Sequence, residues 1–263
     1  MTEVKERTAR TIAAEGMAAH KSEFLADGLD AITAIVRQIG QVNGGEGSLR
    51  SVLERAHRLS LDLKGGAGSM NLSLLGIAAH RLEDYLEAVD EPYERHLNDI
   101  EIYLDVLTEL LEKQGVGGES AAHLVRRLPP RRGFDAQDMA VCEIEVLLVM
   151  DRGVVRRMIE REIAECGYRV TAVSTPFEAL EMIVRTQPDL VILSAVLADL
   201  SGVDLAAGLK AMPQTRNTGL ALITSYDREH GSLQYLPPTV PIIRKGNSFA
   251  DDLTTALSDQ FII

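Results

Sequence analysis

The chain of 263 residues has no tryptophan, two cysteines and only 4% aromatic residues, and each scarcity excludes something. Two thiols, Cys142 and Cys166, build neither a disulfide framework nor a paired-cysteine metal knuckle, and they read as small buried hydrophobes of a reducing compartment. His20, His96, His123 and His230 show no metal-ligand spacing, which leaves zinc chemistry unsupported. Long apolar runs are missing as well. Nothing approaches the roughly 18 residues that span a bilayer, and the charged opening MTEVKERTARTIAAEGMAAHKSEF lacks the apolar centre of a secretory signal. A soluble, cytoplasmic protein is expected. Positive charge is in deficit, with 27 Lys and Arg against 39 Asp and Glu, a formal net of −12. That balance argues against a general nucleic-acid binder working by phosphate neutralisation.

What is present is an ordinary globular composition, 46% hydrophobic and 25% charged, and enough chain for two domains. The first 115 residues carry helical periodicity without strand-like alternation. One helix is expected over residues 3–22 and another from Phe24 through Leu29, Ile32, Ile35 and Val36 to Ile39. The run Asn43-Gly44-Gly45-Glu46-Gly47 breaks the pattern. Ser48 is placed as the N-cap of a third helix, with Leu53, Ala56, Leu63, Ala67 and Met70 at core-facing spacing. Helices from Ser73 to Val89 and from Glu94 to Lys113 complete an all-α antiparallel helical bundle over residues 1–115.

Between residues 116 and 142 the periodicity stops, and GVGGES followed by RRLPPRRGF reads as an Arg/Pro/Gly linker. Its arginines, Arg126, Arg127, Arg131 and Arg132, form the one dense basic cluster, either solvated or set against an acidic domain or partner. Residues 143–263 follow a different grammar. Strands at Glu145–Val149, Tyr168–Val173, Leu190–Leu193, Leu220–Ile223 and Val240–Ile243 alternate with helices through Met158 and Ile163, at Phe177–Arg185, Val203–Met212 and Phe249–Leu257. Five alternations define an α/β doubly wound five-stranded parallel sheet, whose site lies at the carboxyl ends of its strands. Those ends carry Asp151, Ser194, Thr224 and Lys245. No GxGxxG or GxxxxGK[ST] loop follows the first strand, and no histidine is placed to activate Ser194, so a nucleotide site or hydrolase is disfavoured. An acidic bundle without a basic recognition helix disfavours a transcription factor.

The run EVLLVMD…PDLVILSAVLADLSGVDL…ALITS…PIIRKG resembles a response-regulator receiver domain, of flavodoxin-like fold, over residues 143–260. The resemblance implies an acidic pair after the first strand, a phosphoacceptor Asp after the third, a Thr or Ser after the fourth and a Lys-Pro after the fifth. Asp151, Thr224 and Lys245 match. Met150 stands for the first acid, Gly246 for the proline, and Ser194 for the phosphoacceptor. A Ser hydroxyl without a base is a poor nucleophile, and one carboxylate beside a thioether is a poor Mg²⁺ site. Asp189 and Asp199 lie away from the acceptor position. The segment YDREHGSLQYLPPT between strands four and five is poor helix material.

In the bundle, Leu61-Asp62-Leu63-Lys64-Gly65-Gly66-Ala67-Gly68 places three glycines in four helical positions, each costing about 1 kcal/mol against Ala. Leu61, Lys64, Gly65 and Gly68 share one stripe. Close helix packing and a low surface open to another protein are both consistent with it. With Ala79-His80-Arg81-Leu82-Glu83 downstream, the run resembles the histidine-containing phosphotransfer (Hpt) domain of chemotaxis kinases. That resemblance implies a docking surface at Lys64, Gly65 and Gly68 and puts Leu61 where the phosphoacceptor His would stand; His80 is expected to be structural. His57, one turn earlier, is the candidate for a displaced acceptor. Its alternative is an ordinary helix histidine.

Together the two resemblances imply a non-catalytic phosphorelay protein without cofactor or metal, a pseudo-Hpt bundle with a pseudo-receiver. It would dock to a receiver domain or a histidine kinase, or its bundle to its own receiver, with no role for nucleic acid or membrane. The alternative is an active phosphotransfer protein using His57.

Overall fold

The structure, a computed structural model, describes residues 2–89, 91–114, 119–130, 143–227, 229–245, 249, 252–253 and 255–256, with side chains from residue 16 onward. The chain divides into two compact units, Met1–Glu119 and Ser120–Ile263.

The first unit is helical: α1 (Thr2–Asn43), α2 (Leu49–Ser69), α3 (Ser73–Glu87) and α4 (Arg95–Glu112). The two helices expected before residue 40 are one continuous helix, because nothing at Ser22–Glu23 breaks the backbone ladder. Of the expected stripe, Ile32, Ile35 and Ile39 are buried and Phe24 and Leu29 half-buried, while Val36 faces outward at 49% exposure and Leu25, not anticipated, is buried instead; Gly28 lets Leu63 of α2 and Leu111 of α4 approach within about 3.2 Å of its missing Cβ. Ser48 stands at the N-cap of α2, but its hydroxyl makes no capping bond. In α4, the Tyr93 N–H donates to His96 Nδ1 (2.9 Å). Burial, then the neighbouring Arg95, holds the His96 pKa below 6.5, with Asp99 opposing.

The second unit contains α5 (Ala121–Arg127), β1 (Glu145–Val149), α6 (Val154–Glu165), β2 (Arg169–Val173), α7 (Pro176–Thr186), β3 (Leu190–Ser194), α8 (Gly202–Ala211), β4 (Gly219–Thr224) and β5 (Ile242–Arg244). All pairings are parallel, in the order β2-β1-β3-β4-β5, the flavodoxin-like order. β1 to β4 are buried along their whole length, as expected of strands covered on both faces. β5 begins two residues later than expected, since Pro241 has no N–H to give the ladder; its carbonyl still accepts from Leu222 N. α7 opens on Thr175, whose Oγ1 accepts from Glu178 N, with Pro176 in the first turn, the start that such a Thr-Pro-x-Glu run favours. Cys166 caps the end of α6 and is exposed rather than buried; partial burial of its sulfur, with Glu162 and Glu165, pushes its pKa up. Cys142, Gly246 and most of the helix expected at 249–257 lie outside the described residues.

α5 sits inside the segment read as linker. It belongs to the second unit and packs on α7. Ser120 caps its N-terminus, and its last carbonyls are collected by one buried side chain. Arg169 Nη2 donates to Val125 O (3.0 Å), Leu128 O (2.7 Å) and Arg126 O (3.3 Å), while its Nε donates to Glu145 Oε1. Glu145 and Arg169 are register partners at the starts of β1 and β2. Arg126 also pairs with Asp189 at 3.3 Å, so part of the basic cluster does meet an acid, within its own unit.

Breaking a buried ion pair from one side leaves a stranded charge at a cost of about 3–5 kcal/mol. Arg169→Met is therefore expected to raise amide hydrogen exchange throughout β1 and α5. In the double variant Glu145→Leu/Arg169→Met, protection should return to β1 and not to α5, whose carbonyls stay uncapped. His96 adds a pH dependence to the first unit. Unfolded, it titrates near 6.5; folded, its pKa is lower, so the unfolded chain binds the extra proton and stability falls as pH drops below about 6.5. Melting between pH 7.5 and 5 should show that fall, and His96→Asn should reduce it.

Candidate functional site

Two groups of residues carry the chemistry anticipated above, one in each unit. In the bundle, the i, i+3, i+4, i+7 stripe of α2 faces outward at Leu61, which is 44% exposed, and at Gly65 and Gly68, which are exposed. A Cβ added at Gly65 or Gly68 would meet nothing within 4 Å. Gly66 differs, for a Cβ there would lie 2.1 Å from Cε2 of Phe24 on α1. The glycine run thus divides between two uses: Gly66 admits the Phe24 ring, and Gly65 with Gly68 keeps an outer surface low.

Lys64, on the same stripe, is directed at α3. Its Nζ lies 2.8 Å from His80 Nδ1 and donates to Glu83 Oε2 at 3.0 Å. An ammonium only donates, so Nδ1 is the acceptor and the imidazole proton sits on Nε2. His80 and Glu83 are buried, and Lys64 is half-buried. The lysine therefore neutralises a buried carboxylate, with the His80 ring against its ammonium. Glu83 was not foreseen as part of this group, although its spacing of three from His80 puts both on one face of α3.

His57 is half-buried on α2. It lines a cleft of about 310 Å³ with Arg50, Leu53 and Glu54 of α2 and Leu86, Glu87, Val89 and Pro92 at the end of α3. Seven residues of helix separate it from Lys64, about 10 Å of rise, so the structure does not bring the two together.

In the second unit the strand ends bring Asp151, Ser194, Thr224 and Lys245 to the carboxyl rim of the sheet. Ser194 is buried, and its hydroxyl donates to Val196 O at 2.9 Å. The start of α8 presses on it: a Cβ at Gly202 would lie 2.1 Å from the Ser194 carbonyl oxygen. Thr224 is buried with its Oγ1 accepting from Tyr226 N at 3.0 Å, while Lys245 is exposed and its backbone N–H donates to Thr224 O. Asp151 is exposed and Met150 buried beside it. Asp189 lies at the opposite end of the sheet, where its Oδ2 accepts from Glu145 N. Asp199 is exposed in the β3–α8 loop, in left-handed backbone at φ 65°. Among the described residues, no three His, Cys, Asp or Glu side chains gather as a metal site.

The response regulator receiver domain family matches residues 146–237, and the match does not extend into the bundle. The chain therefore contains a receiver domain of two-component signalling. No curated protein matches the chain closely enough to count as a relative. Similar solved structures include the receiver domain of a Pseudomonas aeruginosa sensor histidine kinase, described with magnesium in its active-site cleft (23% identity, TM-score 0.40, 44% of this chain and 97% of that one). Others are a response regulator from Chloroflexus aurantiacus (20%, 0.40, 44% and 97%) and the chemotaxis response regulator CheY4 of Vibrio cholerae (18%, 0.40, 45% and 98%).

The division among the glycines is directly measurable. Gly68→Ala, with open space around its new methyl, should stabilise the bundle by about 1 kcal/mol through helix propensity alone. Gly66→Ala should lower stability instead, because the Phe24 ring must leave its place. Thermal melts followed by circular dichroism at the helix band would rank the two variants.

Proposed function

We propose that this chain is a non-catalytic component of a two-component phosphorelay that acts by docking. Its bundle works as an Hpt-like adaptor, and its receiver domain works without a phosphoacceptor. The observation that carries the reading is what stands at the two acceptor positions: an exposed leucine, Leu61, and a serine, Ser194, whose hydroxyl donates to the Val196 carbonyl. A leucine has no nucleophilic atom. The serine's proton is already committed to the Val196 carbonyl, and a hydroxyl so held is a poor nucleophile. The donor set at the receiver rim does not fit Mg²⁺, which takes octahedral oxygen ligands; one exposed carboxylate stands there beside the buried thioether of Met150.

The partner of the bundle is a receiver domain or a histidine kinase of a two-component system. Gly65 and Gly68 let a second backbone come close, Leu61 offers an apolar contact, and α2 carries four basic side chains (Arg50, Arg55, Arg58, Lys64) against two acidic ones (Glu54, Asp62). In a chain of net −12, this helix is suited to an acidic rim. Lys64 already has His80 and Glu83 as partners, so the surface is preorganised without a phosphoryl group. The protein acts in the cytoplasm among those partners, in keeping with the lack, among the described residues, of a helix long and apolar enough to cross a membrane.

A second reading rests on His57, whose ring borders an open cleft and is reachable from solvent; there the bundle would carry phosphate on a displaced histidine. One experiment separates the two. The full chain is incubated with a phosphorylated receiver and assayed for acid-labile phosphate, while receiver affinity is titrated in parallel. Docking predicts no label, and about tenfold or greater weakening on Gly68→Leu. A label that disappears in His57→Gln establishes the second reading, and equal affinity of wild type and Gly68→Leu would remove the docking surface.

A further inference from the structure

The first three crossovers of the parallel sheet carry α-helices of 12, 11 and 10 residues, α6, α7 and α8. The fourth, from Thr224 to Ile242, carries among its described residues only the 3-10 turn Gly231–Leu233. Gly231 and the pair Pro237-Pro238 disfavour anything longer. A parallel sheet is built to be covered on both faces; β4 stays buried here, but the described residues that follow it supply irregular chain in place of a helix. A cavity of about 410 Å³ opens beside α8 at the carboxyl ends of β3 and β4, inside the roughly 300–1,000 Å³ range of ligand sites. Its floor is apolar and buried at Ala195, Val203 and Leu233. Val196 and Tyr235 stand at its edge, 62% and 72% exposed. Tyr226 forms a wall, fixed by His230 stacked on it at 4.1 Å with an interplanar angle of 4°.

Among the described residues lining this opening, the charged one is acidic. Asp204 lines it, and Asp199 and Glu229 are exposed on the two segments that border it; Asp227 is already paired with Arg244 at 3.7 Å. We propose that the cavity seats a basic amphipathic helix of a partner protein, in the place where the fourth crossover has no helix of its own. A leucine-sized side chain of that helix rests on Ala195, Val203 and Leu233. An arginine one turn away meets Asp204, with its guanidinium plane over the exposed Tyr235 ring. This site is separate from the α2 surface and needs no phosphoryl group, so it stands whether or not the bundle docks.

The test uses the full chain and a labelled synthetic peptide of about four helical turns, with Leu and Arg along one stripe, read by fluorescence anisotropy. A scrambled peptide of the same composition controls for the stripe, and Glu165→Lys on α6 controls for charge alone. The striped peptide should bind and the scrambled one should bind about tenfold more weakly. Asp204→Lys and Tyr235→Ala should each weaken the striped peptide by about fivefold or more, with Glu165→Lys within twofold of wild type. Equal binding of the two peptides overturns the proposal. So does equal damage from Glu165→Lys and Asp204→Lys, which would mean general attraction to an acidic chain. Binding abolished by Gly68→Leu would place the peptide on α2 and likewise overturn it.

Discussion

A guanidinium taken out of water must satisfy its N–H groups inside the protein, and Arg169 does so in two directions. Toward the sheet it meets the carboxylate of Glu145, its register partner, and away from the sheet it meets three carbonyls at the end of α5. The first contact fixes the starts of β1 and β2, and the second joins a seven-residue helix to them. A helix that short has no stability of its own. With the amino edge of the sheet pinned in this way, the strands run in register to the carboxyl ends that carry Asp151, Ser194, Thr224 and Lys245.

In each unit the side chains at the positions singled out are already engaged within the protein. In the bundle, the Lys64–His80–Glu83 group is complete without any phosphoryl group to hold. In the receiver, the Ser194 hydroxyl is turned into its own loop and Gly202 lies against its carbonyl, so the strand end is closed by packing. Side chains held in this way have little conformational entropy left to lose.

Much of this was legible in the residues, and the failures have physical causes. Runs such as Val146–Val149 and Leu190–Leu193 announce buried parallel strands because a strand covered on both faces needs no polar alternation. The poor helix material between β4 and β5 was equally plain from Gly231 and Pro237-Pro238. Helix α5 was not, since seven residues between glycine-rich and proline-rich stretches are too few to display a period; what makes them helical is Arg169, more than forty positions away. Glu83 was hidden for a similar reason. A glutamate in a helix reads as surface until its lysine is known to lie on a neighbouring helix. The glycine run showed that something must approach α2, but only the position of Phe24 separates Gly66 from Gly65 and Gly68. Leu61 and Ser194 acquire meaning solely through resemblance, for nothing in the physics of a leucine or a serine marks a missing acceptor.

The anchoring of α5 also has a mechanical side. A pull applied to the chain from its N-terminal side enters the second unit at Ser120 and loads α5 before any strand of the sheet. The bonds from Arg169 to the α5 carbonyls resist it together, several at once, in the manner of a clamp. Tension reaching α5 is thereby shared with the starts of β1 and β2, at the end of the sheet opposite its carboxyl rim.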